Sequence, residues 1–288
     1  SALGANTTGA TNTAVGRNAL GSNTTADNNT AVGSQCLLQN LTGTLNTAVG
    51  AAALENNTSG LHNTAVGALA LDANTTANYH TAVGYQALGG NTTGTQNSAL
   101  GWGALQTNST GAYNTAMGVQ ALYANTTANS NVAVGKDALY ANTSGSNLVA
   151  IGFEALKSNQ TNSYSVAVGM NTLRLNIADD NVAVGYNAQA ANTSGTQNTA
   201  LGHTALDANT TANQNTAIGN NALGANIGSL NTAVGSHALA VNTTAGYNVA
   251  LGYNAGGAAT TGGSNVCIGA STGDSTVTTG GGNVIVGY

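Results

Sequence analysis

The chain has 288 residues, of which only 5% are charged, with a formal net charge of −5, no proline and 40 glycines. Soluble domains usually carry about a quarter of their residues as charges, so a conventional thick core is excluded. With Arg17, Lys136, Lys157 and Arg174 as the fixed cations, the basic face of a nucleic-acid binder is excluded as well; no stretch reaches the ~20 consecutive apolar residues of a membrane span.

One unit, NTAVGxxALxxNTTGxx, fills the chain to about Gly252, with its glycine at Gly16, Gly33, Gly50, Gly67, Gly84, Gly101, Gly118, Gly135, Gly152 and Gly169. So short and fixed a period means that each unit is one coil of a solenoid and buries its apolar face only by stacking on its neighbours. Disordered tracts do not hold Val and Leu in register in this way. A strand, a helix and two connections do not fit in one such coil, and glycine with β-branched residues disfavours helix. The predicted fold is all-β, a parallel β-solenoid (β-roll or β-helix) of about 17-residue coils, regular over 1–252 and divergent over 253–288. The chain opens mid-repeat at Ser1-Ala2-Leu3-Gly4 and stops in Asn283-Val284-Ile285-Val286-Gly287, which predicts a piece of a longer protein.

Within each coil the elements follow in a set order. A strand-leading asparagine comes first, as in Asn29, Asn46 and Asn63. The three-residue strand follows, with Thr, Ser or Val before and Val, Leu, Ile or Met after a central alanine. Alternation puts the two flanking residues on one face and the alanine on the other. The exchange of Thr for Val at Val132, Val149 and Val166 suggests that the flanking residues point into an apolar interior. The unbroken alanine column, Ala14, Ala48, Ala65, Ala82, Ala99, Ala116 and Ala133, is then expected to face outward and to pack against another chain or a second sheet. After the glycine, an Ala-Leu pair supplies the facing wall, with Leu20, Leu54, Leu71, Leu88, Leu105 and Leu122. A turn asparagine closes the coil, as in Asn74, Asn91, Asn108 and Asn125. Both asparagine columns are expected to form stacked amide ladders. Spacing shrinks between Gly169 and Gly185 and between Gly219 and Gly235, and the missing residue falls in the turn. The last two units, 253–269 and 270–287, lose the Ala-Leu pair and the NTT turn.

The NTAVG and NVAVG strands resemble the short repeats in the heads of trimeric autotransporter adhesins, and the longer unit with ALxxNTTG is similar to repeats of phage tail-fibre and spike proteins. The resemblance implies a trimeric fibre on a virion or a bacterial surface, with self as the principal partner and a cell-surface glycan or receptor as a further one. The adhesin repeats are shorter than this one, and no self-cleaving chaperone of the kind that ends many phage fibres is visible.

Chemistry is sparse. Cys36 and Cys267 lie about fourteen coils apart, more than ~60 Å at one strand spacing per coil, and read as small buried hydrophobes. His62, His80, His203 and His237 fall in four different columns, so stacking gathers no metal set, and Asp72 and Asp207 share a column at a distance that forbids paired-carboxylate catalysis. Asp179 and Asp180 sit in one shortened turn and read as solvated. No GxSxG elbow or phosphate loop is present. The expectation is a protein without catalytic residues, metal or cofactor. NTT and NTS triplets match the N-glycosylation acceptor, yet turn chemistry explains them equally well.

Aromatic residues are the best lead, because they occupy only three columns. The column after the glycine holds Tyr85, Trp102, Phe153, Tyr186, Tyr253 and Tyr288; the others hold Tyr79, Tyr113, Tyr164 and Tyr247, and Tyr123 and Tyr140. Tyr85, Trp102, Phe153, Tyr186 and Tyr253 are therefore candidates for a glycan or partner platform. Ice binding or another independent extracellular role is the alternative, although inward-facing threonines would leave no flat threonine face. A polysaccharide-cleaving solenoid would need clustered acids, which are not found.

Overall fold

A computed structural model describes residues 1–273 and 279–287. The chain forms two units, Ser1–Asn147 and Leu148–Tyr288. The first carries eight strands of three residues, from β1 (Thr13–Val15) to β8 (Val132–Val134); the second carries nine, from β9 (Val149–Ile151) to β17 (Val284–Val286). In each unit successive strands pair in parallel and in register, as in Thr81↔Ser98, Ala82↔Ala99 and Val83↔Leu100. The shortened coils keep this register, with Val166 opposite Val182 and Thr216 opposite Thr232. Each unit is a parallel β-solenoid, as the repeat predicts.

Stacking is not confined to the strands. Leu88 N–H donates to Ala104 O (2.9 Å) and Leu105 N–H to Ala121 O (3.0 Å), so the Ala-Leu wall is a second backbone ladder opposite the strand. Its leucines adopt the left-handed conformation, with φ of 53° at Leu105 and 51° at Leu122. That conformation costs roughly 1–2 kcal/mol for a residue bearing Cβ. Burial of the leucine, worth about 1.5–3 kcal/mol, offsets it. The residue two before each leucine is left-handed too, and there Asn, Gln and Asp are frequent, as at Asn18, Gln86, Gln120 and Asp137; short polar side chains tolerate this region best.

The strand faces are the reverse of the expectation. Ala48, Ala65, Ala82, Ala99, Ala116 and Ala133 are all buried inside their own coils, and Ala14 is half-buried in the first strand. They are core residues, and the buried ones have no surface left for a second chain or sheet to meet. The flanking Thr, Val, Leu and Met point outward instead. The physical reason is volume. The gap between strand and facing wall is already filled by the Ala-Leu pair, and only a methyl group fits from the strand side.

Two asparagines complete each thin core. Asn40 Nδ2 donates to Asn23 Oδ1 (3.1 Å) and to Gly43 O (2.8 Å), and the pattern repeats through Asn57, Asn74, Asn91, Asn108 and Asn125. In the strand-leading column, Asn29 Oδ1 accepts the Asn46 N–H (3.0 Å) while Asn46 Nδ2 donates to Gly60 O (2.9 Å); Asn63 continues the column with Nδ2 on Ala77 O (3.0 Å). The turn column is the amide ladder that the sequence predicts; the strand-leading column stacks too, but its amides bond mainly to backbone groups. They satisfy buried turn amides that have no sheet partner.

One coil breaks the pattern. Gln189 occupies the leucine position with the same backbone, φ 51°, and its N–H on Ala205 O at 3.0 Å. Its side chain is fully buried, and neither Nε2 nor Oε1 has a hydrogen-bond partner. An unpaired buried amide costs about 1–3 kcal/mol. Gln189→Leu is therefore expected to raise stability by about 2 kcal/mol or more, read as a higher urea midpoint at unchanged slope. An unchanged or lower midpoint would show that the amide finds partners in solution.

Candidate interaction surfaces

The outward strand columns form the most extended surface feature of each unit. In the first unit they run through Val15, Val32, Val49, Val66, Leu100 and Met117, with Leu100 46% and Met117 43% exposed. In the second they include Ile151, Val182, Leu201, Val249, Leu251 and Ile268, all exposed. No flanking position of any strand carries a charge. Between Val83, Leu100 and Met117 the face is furrowed by a shallow groove of about 240 Å³. Monomeric proteins rarely leave a contiguous apolar face of this kind open.

The aromatic column after the glycine is outward, as predicted. Tyr85, Trp102, Phe153, Tyr186 and Tyr253 are all exposed; Tyr288 lies outside the described residues. Tyr85 and Trp102 follow one another on adjacent coils and border the strand face, with exposed Val119 on the next coil. Stacked rings occur in this column and in two others. His62 stacks on Tyr79 with centroids 5.1 Å apart, Tyr123 on Tyr140 at 5.3 Å, and Tyr186 on His203 at 5.1 Å. The two His–Tyr stacks were legible in the sequence as neighbours within one column. Comparing histidines only with other histidines hid them.

His80 stands in the strand-leading asparagine column and is 1% exposed. Its Nδ1 accepts the Asn97 N–H (3.2 Å), as the asparagine oxygen does in other coils. Burial pushes its pKa down to about 4. Burial likewise pushes the Cys36 thiol up to about 11, with Sγ 3.1 Å from Ala48 O, and both cysteines are free and buried, so they pack as small hydrophobes. Among the described residues no three His, Cys, Asp or Glu side chains gather into a metal-binding set, and no helix is long and apolar enough to cross a membrane. Asp179 Oδ1 accepts the Ser163 N–H (2.6 Å), which makes it a turn-stacking group.

From Asn23 onward the NTT and NTS asparagines are closed to modification in the folded chain. Asn74, for example, is fully buried, and its Nδ2 donates to Asn57 Oδ1 (2.9 Å) and Ala77 O (3.1 Å). A glycan on that nitrogen would remove both bonds and find no room.

Two clefts open at the edge that follows the Ala-Leu pair, where small residues leave a gap between longer ones. The first unit has about 270 Å³ around Gly89 and Gly90, between Asp72 and Gln106. The second has about 410 Å³ around Ala190 and Ala191, between Arg174 and Asp207. Burial raises the pKa of both aspartates. Sequence reasoning missed both clefts, because each needs side chains from several coils to be compared at once. No protein-family model and no curated protein matches the chain.

Proposed function

We propose that this chain is a non-enzymatic structural fibre segment that associates with copies of itself through the outward strand face and extends from a virion or bacterial surface to contact a host receptor or glycan. The observation that carries the reading is the pair of outward, uncharged columns Thr/Val and Val/Leu/Met, exposed or half-exposed on successive coils. A second copy of the chain is the fitting occupant, because it alone offers the same ~4.8 Å rung spacing along the whole face. Apolar columns then meet in register, and no buried charge has to be compensated. Three copies follow from the resemblance to trimeric fibre repeats.

The test is the mass in solution by light scattering, with Leu100→Lys plus Met117→Lys as the variant. The expected wild-type mass is that of a trimer. Two lysines in the desolvated face should weaken association by a factor of about a hundred or more, while leaving the β-sheet circular dichroism intact. A monomeric wild type would remove the reading.

One observation favours ice binding as a second reading. Thr13, Thr30, Thr47, Thr64, Thr81 and Thr115 point outward beside the valine column, so the first unit does present a regular threonine row. A monomer that shows thermal hysteresis would support that role over the fibre.

A further inference from the structure

The cleft of the second unit differs from that of the first in having an aromatic wall. Phe153 is 40% exposed at one end, Ala190 and Ala191 form the floor, and Asp207 closes the other end. Its residues come from four successive coils, so it runs roughly 14 Å along the stack at ~4.8 Å per rung. A volume of about 410 Å³ lies within the ~300–1,000 Å³ of small-molecule sites.

The charges of this cleft cancel. Glu154 holds Lys157 Nζ at 2.6 Å and Arg174 Nη1 at 3.5 Å, and the hydrogen bond from Lys157, more than any other cause, keeps its carboxyl below the usual range. Asp207 supplies the second carboxylate. Arg174 in the lining and Lys157 beside it both pair with Glu154, which leaves Asp207 as the one carboxylate without a cation partner, its pKa raised by burial, so the site has little net attraction for an ion. It does offer hydrogen bonding of both kinds. Arg174 and the Asn187 amide can donate, and the Asp207 carboxylate can accept.

An exposed aromatic face beside paired donors and acceptors, neutral overall and elongated, is the complement of a chain of sugar rings. Each ring has an apolar face for Phe153 and hydroxyls that both give and accept. We infer that the cleft between Phe153 and Asp207 binds a neutral oligosaccharide, with Phe153 as the stacking platform and Arg174, Asn187 and Asp207 as the polar contacts. The site rests on the receptor-contact part of the function proposed above and is separate from self-association, which uses the strand face.

The repeat supplies the test variants. The Phe153 column carries alanine at Ala51 and Ala68, and the Ala190 column carries arginine at Arg174, so Phe153→Ala and Ala190→Arg keep to residues that other coils accept. The full chain is titrated calorimetrically with cellotriose, maltotriose, mannotriose and triacetylchitotriose, and with trigalacturonate as the anionic control. At least one neutral trisaccharide should bind saturably. Its affinity should fall at least about tenfold in each variant and hold in Tyr113→Ala, an exposed aromatic of the first unit, while the oligomer mass stays unchanged throughout. Absence of binding by all four, binding of trigalacturonate alone, or equal binding in wild type and both variants overturns the site. A change in the mass of the wild-type assembly bears only on the fibre.

Discussion

Gly118→Ala is expected to destabilise the chain by about 4 kcal/mol or more, the largest single effect in the repeat. Gly118 has φ +136°, a conformation essentially closed to residues with Cβ. An added Cβ would sit 2.6 Å from the carbonyl oxygen of Gly135 and 2.7 Å from its carbon. Neither atom can retreat. Gly135 N–H is held by Met117 O at 2.7 Å, and Gly135 O accepts the Ala138 N–H at 3.3 Å. Moving it would break the stacking of two coils.

The repeat contains its own control. At Gly111 an added Cβ would also be crowded, against Ala128 O and Asn108 Oδ1, yet the φ is ordinary and the matching position in other coils holds Ala77 and Ala128. Gly111→Ala is therefore expected to change stability by less than about 1 kcal/mol. Urea unfolding of both variants separates backbone conformation from mere crowding. Equal losses would sink the argument.

Acidification is expected to destabilise the protein through His80. Its folded pKa is about 4 against the ordinary histidine value of 6.5, so the folded chain keeps the ring neutral where the unfolded chain protonates it. Above pH 6.5 both states are neutral and the ring has no pH effect. Between pH 6.5 and pH 4 the unfolded state gains a proton and is favoured. At about 1.4 kcal/mol per pH unit, the loss reaches about 3 kcal/mol near pH 4 and grows no further below it.

His80→Asn restores the residue that its column carries at Asn63 and Asn97, and should remove this loss. Asp72 and Asp207 act in the opposite sense, since their raised pKa values favour the folded state as pH falls, but they are common to both proteins. The measurement is the difference between wild type and variant in unfolding free energy at pH 7 and at pH 4. If that difference is the same at both, the ring is not held neutral.

Much of the fold was legible because periodicity fixes which residues stack, and the asparagine ladders and the leucine wall followed from that alone. Strand orientation was not. Alternation allows two solutions, and the exchange of Thr for Val suits a half-exposed column as well as a buried one. Volume decides between them. The leucine of the facing wall reaches across the coil and leaves only room for Ala82 or Ala99, a distance that depends on left-handed leucines such as Leu88 and Leu105. Nothing in leucine's own preferences announces that conformation. The aromatic column was found for the same reason as the ladders, whereas the Phe153 to Asp207 cleft depends on Ala190 being shorter than Arg174 one coil away, a contrast that a consensus averages out.

Every turn-asparagine amide of the first unit points the same way, from Asn40 to Asn23, Asn57 to Asn40 and Asn74 to Asn57. The stack thus has a sense, with spare oxygens always on one side of a coil and spare nitrogens on the other. Inserting a duplicate coil costs no existing amide bond and closes a new one, at any point in the row. A reversed coil would set nitrogen against nitrogen. Lengthening by tandem copying is accordingly the easy change for this architecture, and inversion the forbidden one.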